Sequence, residues 1–327
     1  MRAYVIRRLL ILIPTLVLAS LLVFFMVWFI PGDVIDWIQA TAAGRELEID
    51  RAAMERELGL DAPAIVQYAR WTGVVPQRDG SFSGVLQGNL GDSWYYRAPV
   101  AGLLALKWPV TLQLGFMGII VGQLIALPIG IYSALRQDKW GDYIGRSFAI
   151  LCISVPGFWL GTLIIVFPSI WWGYMPPIML IHFTEDPIGN LTMFIVPAIV
   201  LGMALAGVTM RMTRTMMLEV LRQDYIRTAW AKGLRERVVI LRHTLKNALI
   251  PVVTVVGLQV PLMFGGTVII EQIFSLPGIG RLLLGAIITR DTPVISGVTL
   301  LFAVALVLIN LMVDLTYAYL DPRVHYK

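Results

Sequence analysis

Six long apolar segments constrain this sequence more than any other feature. The first, Leu9–Ile30, contains no charged residue, and a helix of that length covers about 33 Å at about 1.5 Å per residue. That length is enough to cross the hydrocarbon core of a bilayer. The remaining segments lie near Pro109–Leu135, Ile144–Trp172, Leu191–Met210, Ala248–Ile270 and Val294–Leu320. The pattern predicts an all-α, polytopic membrane protein with six transmembrane helices.

The composition agrees with a membrane protein and argues against several soluble classes. Hydrophobic residues make up 57% of the chain and charged residues only 14%, whereas soluble domains carry about 25% charged residues. The single cysteine, Cys152, offers no disulfide framework. The net charge of +5 does not require nucleic acid as a partner, because membrane proteins collect Lys and Arg on their cytoplasmic loops.

The first apolar segment has a second explanation, a cleaved signal peptide. Arg2, Arg7 and Arg8 would form its positively charged start. The apolar part of a signal peptide is usually about 7–15 residues long, however, and Leu9–Ile30 is longer and lacks a convincing small-residue cleavage site. We therefore predict an uncleaved helix.

Charges on the connecting segments predict the orientation. Residues 31–107 hold seven basic and ten acidic residues, whereas residues 211–246 hold nine basic and three acidic residues. Positive loops remain on the cytoplasmic side. The basic excess falls on alternate loops, so we expect both termini in the cytoplasm of a prokaryote and a multi-pass protein of its inner (plasma) membrane.

This topology predicts the domain organisation. The expected regions are 1–30, the cytoplasmic N-terminus and first transmembrane helix; 31–107, an extracytoplasmic loop subdomain; 108–320, a five-helix core with a cytoplasmic loop at 211–247; and 321–327, a cytoplasmic tail. Within the outer loop, Asp50–Leu58 has the composition of a short amphipathic helix ended by Gly59. We expect a second short helix at Ile65–Trp71 and an irregular connection from Gly80 to Ser93.

The sequence predicts no catalytic, cofactor-binding or metal-binding residues. It contains no Gly-Lys pair and hence no phosphate-binding loop for ATP. The three histidines, His182, His243 and His325, are scattered along the chain and form no metal-ligand pattern with one cysteine. We therefore expect a non-enzymatic subunit without a cofactor of its own.

Polar residues are rare inside the apolar segments, where they are Gln113, Gln123, Gln259, Asn310 and Asp314. Gln123 and Gln259 fall near mid-span and carry two predictions. They either line a translocation pathway or form hydrogen bonds between packed helices. The scarcity of intramembrane charge argues against a carrier driven by protons or sodium.

The basic connection contains a candidate docking element. Asp224–Leu234 reads DYIRTAWAKGL, which predicts a short helix with small residues, stopped by Gly233. This stretch resembles the signature of permease subunits of ATP-binding-cassette (ABC) importers, in the dipeptide/oligopeptide/nickel branch. Trp230 stands where that branch usually has Arg, which either adds an aromatic contact to the docking surface or moves that surface towards the lipid headgroups.

Further segments resemble the same branch over essentially the whole chain. They are Ile30–Asp33, Leu58–Asp61 with Pro63, Gln67 and Tyr68, Gly88–Ser93 with Arg97, Pro99 and Val100, Arg242–Thr254, Glu271–Arg281 and Asp321–Arg323. The joint occurrence of these motifs is highly specific. The resemblance implies a type I ABC importer permease fold.

The resemblance also implies a coupling helix that is seated on a separate ATPase. The residues that it assigns to this coupling are Asp224, Tyr225, Ile226, Arg227, Thr228, Ala229, Ala231, Lys232 and Gly233, with Ala229 and Ala231 allowing close approach of the partner. Expected partners are a second homologous permease, two ATPase subunits, an extracytoplasmic solute-binding protein facing the outer loop and Glu271–Asp291, and membrane lipid. Short peptides are the expected substrate class, although relatives also take nickel chelates, glutathione, opines or sugars. The alternatives are a secondary transporter and a non-transport membrane scaffold.

Overall fold

The computed structural model describes residues 2–29, 35, 50–173, 175, 177 and 179–320, and this part of the chain is predominantly helical. Between the helices, one isolated antiparallel bridge joins Asp92 and Pro99. The principal helices are α1 Arg2–Trp28, α2 Arg51–Leu58, α3 Ala64–Thr72, α4 Val100–Leu135, α5 Trp140–Ser154, α6 Gly157–Trp172, α7 Pro187–Leu221, α8 Asp224–Ala231, α9 Glu236–Ile273, α10 Ile279–Thr289 and α11 Thr292–Leu320. The prediction of an all-α protein is confirmed for these residues.

Helices α1, α4, α7, α9 and α11 are each long and apolar enough to cross a membrane. The remaining predicted span, Ile144–Trp172, is not one continuous helix, because α5 and α6 are bent by 93° at a break. Counted together, they bring the candidate spans among the described residues to six. The number of spans therefore agrees with the prediction, whereas the continuity of the third span was wrong.

The break lies at Val155 and Pro156, and its cause is local. Proline lacks the backbone N–H that a helix interior needs, and it disfavours helical backbone at the preceding residue. Val155 accordingly adopts an extended conformation, with φ −84° and ψ 119°. Helix α6 then begins at Gly157, with Pro156 as its N-cap residue.

Helix α7 is longer than the predicted fourth span, Leu191–Met210, since it runs from Pro187 to Leu221. Asp186 caps its first turn by accepting a hydrogen bond from the Gly189 N–H at 2.9 Å. Its last three turns contain Arg211 and Arg214, which the sequence analysis had placed in the basic loop. Part of the positive charge that was predicted for the loop therefore lies on helix α7.

The described residues form two compact units, one of residues 110–277 and 309–320 and one of residues 2–109 and 278–308. In the first unit, α4 and α7 approach one another closely through Gly118, Gly122 and Gly202. A β-carbon on Gly202 would lie 2.5 Å from the Gly118 carbonyl oxygen and 2.9 Å from the Gly122 nitrogen. Glycine on both helices permits this backbone-to-backbone contact.

The second unit has its own apolar core. Its buried residues come from the end of α1, the start of α4, α10 and the start of α11, and they are Val27, Val100, Leu104, Ile279, Leu282, Ala286, Val294, Ile295 and Val298. Four of these side chains, Val100, Ile279, Val294 and Val298, are fully buried. Apolar burial of this kind stabilises the unit by about 25 cal/mol per Å².

The short helices predicted within residues 31–107 are confirmed as α2 and α3. The Asp50 carboxylate accepts a hydrogen bond from the Ala53 N–H at 3.2 Å at the start of α2, and Gly59 ends it with φ +74°. Helix α3 is held against α1 through the hydroxyl groups of Ser20 and Tyr68, which lie 2.9 Å apart. The motif segments at 30–33 and 321–323 lie outside the described residues, as does the side chain of Asp314.

Candidate functional site

Helix α8 is the predicted docking element, and it forms between two candidate spans, α7 and α9. Asp224 begins the helix, where a negative charge interacts favourably with the helix dipole. The Thr228 hydroxyl donates a hydrogen bond to the Asp224 carbonyl at 3.0 Å within the helix. Gly233 follows with φ +73°, so the predicted glycine stop is confirmed.

One face of α8 is covered by the chain itself. Ile226 is fully buried and Ala229 is 7% exposed. Both pack against Val239, with Val220 of α7 alongside. The spacing of three residues between Ile226 and Ala229 places them on one side of the helix. This apolar contact holds α8 against its neighbours.

The opposite face of α8 is exposed. Its residues are Asp224, Tyr225, Arg227, Thr228, Trp230, Ala231, Lys232 and Gly233. The expectation that Ala229 allows close approach of a partner needs correction, because Val239 occupies the space in front of Ala229. Ala231 remains exposed and is the small residue available to a partner. Trp230, at 44% exposure, adds a large apolar surface to the same face.

A hydrogen bond also ties α8 to α9. The Asn247 side-chain amide donates to the Tyr225 hydroxyl at 3.0 Å and to the His243 carbonyl at 2.9 Å. Tyr225 nevertheless stays 45% exposed. This hydrogen bond therefore holds α8 against α9, while the Tyr225 side chain stays exposed.

The first part of α9 has an unusual backbone that sequence reasoning missed. Val239–Leu245 forms a π-helical segment, and the Thr244 hydroxyl donates to the Val239 carbonyl, five residues earlier, at 3.1 Å. Segments of this kind are rare and occur frequently at functional sites. Val239, the residue that supports Ala229, begins this segment.

The charges around α8 are mostly exposed. Arg227 and Asp224 lie 3.5 Å apart, with side chains 75% and 96% exposed, so their attraction is weak in water. Arg222, Lys232, Arg235 and Arg237 are exposed as well. The segment thus presents a positively charged surface around an aromatic side chain.

The two glutamines predicted at mid-span have different surroundings. Gln259 of α9 is buried and bonds to α7: its carboxamide oxygen accepts from the Thr209 hydroxyl at 3.4 Å, and its nitrogen donates to the Leu205 carbonyl at 3.3 Å. Both polar atoms of the Gln123 side chain on α4 are buried without a hydrogen-bond partner. For Gln259 the geometry is that of a helix–helix bond. The pathway role of Gln123 stays a prediction.

The segment Glu271–Asp291 was expected to face a binding protein, but its acidic ends are buried. Glu271 lies in the last turn of α9 and accepts a hydrogen bond from the Thr111 hydroxyl at 2.6 Å. The Asp291 carboxylate accepts bonds from the Ser93 hydroxyl at 2.5 Å and from the Trp94 and Tyr95 N–H groups at 3.3 and 3.2 Å. Asp291 therefore holds the turn that precedes α4 and is not available to a partner.

Two family models match this sequence. Residues 126–326 match the inner membrane component of binding-protein-dependent transport systems, and residues 1–115 match the N-terminal part of the membrane component of such systems. A peptide transport system permease protein of Brucella suis biovar 1 is 38% identical over 100% of both chains. The glutathione transport system permease protein GsiC of Salmonella paratyphi A is 39% identical over 99% of both chains. The chain belongs to the binding-protein-dependent transport permeases.

Solved structures support the fold of this permease. An amino acid ABC transporter matches with a TM-score of 0.52 and 14% identity, over 67% of this chain and 94% of the other. The inward-facing MetNI methionine ABC transporter matches with a TM-score of 0.53 and 18% identity, over 67% of this chain and 96% of the other. At such identities the likeness concerns the fold alone, which is that of a type I ABC importer permease.

Family membership also decides between the classes left open by the sequence. The permease is a multi-pass protein of the bacterial inner membrane and a non-catalytic transport subunit of a binding-protein-dependent system. This finding does not favour a secondary transporter or a non-transport scaffold.

Proposed function

We propose that this permease forms half of the translocation pathway of an ATP-driven importer for short peptides or glutathione, and that α8 couples it to a separate ATPase subunit. The substrate class rests on the relatives, which are named as peptide and glutathione transport permeases. The coupling role rests on one observation: α8 is a helix outside the candidate spans whose inner face is covered by its own chain and whose outer face is exposed.

The partners follow from this division of labour. The complex contains this permease, a second homologous permease, two ATPase subunits and an extracytoplasmic solute-binding protein. The excess of basic residues in the segment that contains α8 supports a cytoplasmic position for it, with both termini on the same side. Arg222, Arg235 and Arg237 then face acidic groups of the ATPase or anionic membrane lipid.

The attachment of α8 gives the coupling a mechanical basis. Its buried face contacts Val220 of α7 and Val239 of α9, and Tyr225 bonds to Asn247 of α9. A displacement of α8 by the ATPase therefore acts on two membrane helices together. When the two ATPase subunits bind ATP and close against each other, these helices would move as rigid elements and change access to the pathway.

Ala231→Arg tests this function. Ala231 is exposed on the outer face, so the larger side chain should leave the contacts of Ile226 and Ala229 intact. We expect copurification of the ATPase and dipeptide uptake to fall at least tenfold, because a long charged side chain disrupts a close interface. Dipeptide uptake should be measured in cells that express the complete importer, and copurification of the ATPase should be measured with protein from the same cells.

Gln137→Arg is the matched control, since Gln137 is exposed in the connection between α4 and α5. It should retain normal uptake and ATPase binding. Normal uptake by Ala231→Arg would contradict the coupling role of α8. Normal ATPase coupling without uptake of dipeptide or glutathione would contradict the substrate class alone.

A further inference from the structure

The second unit contains a cavity of about 1090 Å³ that the transport mechanism above does not use. Its walls come from the end of α1, from α2 and α3 with the loop that follows them, and from the start of α11. All of these segments belong to one compact unit. The volume slightly exceeds the usual range of small-molecule sites, about 300–1,000 Å³.

One side of this cavity offers hydrogen-bond donors that are not in use. Arg70 and Trp71, neighbours on α3, both line it. The Nε atom of Arg70 and the indole nitrogen of Trp71 are buried and have no hydrogen-bond partner. Both of these atoms are covered by protein, so a ligand in the cavity would be bound by the terminal Nη groups of Arg70, which form no hydrogen bond or ion pair with the described residues.

Arg70 differs from two other arginines that line the same cavity, because the guanidinium groups of those two are paired with carboxylates. Arg51 forms a salt bridge with Glu55 at 2.8 Å, and Arg78 is paired with Asp61. Arg70 forms no such ion pair with the described residues. A guanidinium group with unused donors matches the geometry of a carboxylate.

The cavity also contains negative charge. Asp79 and Asp92 both line it. Hydrogen bonds from the Ser81 hydroxyl and N–H hold the pKa of Asp79 below its usual value, so Asp79 is already engaged. The exposed Asp92 forms no salt bridge with the described residues, and its carboxylate is available to an ammonium group.

The cavity has three features of a small-molecule site: hydrogen-bond donors without a partner, an acidic side chain that can pair with a positive charge, and aromatic side chains in its walls. Phe24, Trp28 and Trp94 also line the cavity, and Phe24 lies 5.8 Å from Trp71 between ring centroids. We propose that this cavity binds a small zwitterion, such as a short peptide, with its carboxylate at Arg70 and its ammonium group at Asp92. The choice of a peptide rests on the proposed function, whereas the requirement for both charges rests on the cavity alone.

Binding of the dipeptide Ala-Ala to the full-length permease tests the proposal. The protein is placed in phosphatidylcholine nanodiscs, which expose both membrane faces, and binding is measured by titration calorimetry without ATPase or binding protein. We expect saturable binding of Ala-Ala. The C-terminal amide and the N-acetyl derivative each lack one charge and should bind at least tenfold more weakly.

Two variants locate the charges. Arg70→Gln should remove the preference for Ala-Ala over its amide, and Asp92→Asn should remove the preference over the N-acetyl derivative. Arg70→Lys should keep part of the first preference, since it keeps the positive charge. Arg51→Gln is the matched control: it lies in the same wall but its guanidinium is already paired, so it should change the affinity less than twofold.

The derivatives test the charge requirement on the unaltered protein, independently of whether any variant folds. Equal binding of Ala-Ala and both derivatives, or no saturable binding, would overturn the proposal. An unchanged preference in Arg70→Gln would overturn the assignment of the carboxylate. Since no transport is measured, a failure here leaves the coupling role of α8 standing.

Discussion

The Asp142 carboxylate and the Arg214 guanidinium form a bidentate ion pair. The Nε and Nη2 atoms of Arg214 each lie 2.6 Å from a carboxylate oxygen of Asp142. Asp142 is fully buried and the Arg214 side chain is 20% exposed. The carboxylate also accepts bonds from the Ser133 hydroxyl at 2.5 Å and the Asp138 N–H at 3.0 Å. A single carboxylate thus links α5, α7 and the end of α4.

Removing one partner of this pair should be costly. In Arg214→Met the Asp142 carboxylate remains buried without its counter-charge, which costs about 3–5 kcal/mol in comparable pairs. We expect a clear fall in the melting temperature of the purified permease. The control is Asp224→Asn, because the Asp224–Arg227 pair is exposed and should contribute about 0–1 kcal/mol. Equal stability of the two variants would contradict a structural role of the buried pair.

The contact between α4 and α7 should be equally sensitive to side-chain size. In Gly202→Ala the new β-carbon would lie 2.5 Å from the Gly118 carbonyl oxygen, so the helices must separate. We expect a loss of about 1–3 kcal/mol, typical of overpacking, measured as thermal stability in detergent. Gly265→Ala is the control, since its β-carbon would meet no atom within 4 Å. A stable Gly202→Ala protein would show that this contact is looser than described.

The hydrogen bond from Asn247 to Tyr225 should stabilise the docked position of α8. Tyr225→Phe removes it, at a cost of about 0.5–1.5 kcal/mol. Hydrogen exchange of the α8 amides should become faster, whereas exchange in the centre of α7 should not change. Tyr143→Phe is the control, because Tyr143 is exposed and its ring contact with Arg146 persists in phenylalanine. A double-mutant cycle with Asn247→Ala should show coupling between the two positions, and additive effects would argue against the bond.

Gly233 should be intolerant of side chains for a backbone reason. A β-carbon there would meet no atom within 4 Å, but φ is +73°, and a left-handed residue costs about 1–2 kcal/mol for an L-amino acid. Gly233→Val should therefore unwind the end of α8 and reduce uptake while leaving membrane insertion intact. Gly157→Ala also meets no atom within 4 Å and has no positive φ, so it should behave as the original protein. Normal uptake by Gly233→Val would show that the left-handed turn at Gly233 is not needed for coupling to the ATPase.

The orientation can be tested with an impermeant thiol reagent on intact cells. Cysteines at Ser81 and Thr184 should react from outside, and a cysteine at Arg235 should react only after the membrane is opened. All three positions are exposed, whereas the native Cys152 is 2% exposed and should give little background. Reaction of the Arg235 variant in intact cells would contradict the proposed cytoplasmic position of α8.

Sequence patterns predicted the helices well, because apolar length and helix-ending residues act locally. Gly59 and Gly233 mark helix ends in the sequence and adopt the left-handed conformation in the structure. The break in the third span also had a local signal, the proline at 156. Treating Ile144–Trp172 as one helix gave too much weight to hydrophobicity and too little to the missing N–H of Pro156.

Features that depend on distant parts of the chain could not be predicted in this way. Asp142 and Arg214 are 72 positions apart, and counting loop charges gave no sign that they pair. The π-helical segment beginning at Val239 lacked any recognisable sequence signal. The buried face of α8, in contrast, was available from the three-residue spacing of Ile226 and Ala229, and using it would have corrected the role expected for Ala229.

The glycine contact between α4 and α7 has a mechanical consequence. Side chains normally act as a deformable layer that lets two helices slide by changing rotamers, but at Gly122 and Gly202 only backbone lies between the axes. Sliding would therefore require the two helices first to separate and lose their contact. We therefore expect α4 and α7 to move together as one rigid body in any conformational change of this unit, and any bending to occur elsewhere, for example at the break at Val155 and Pro156.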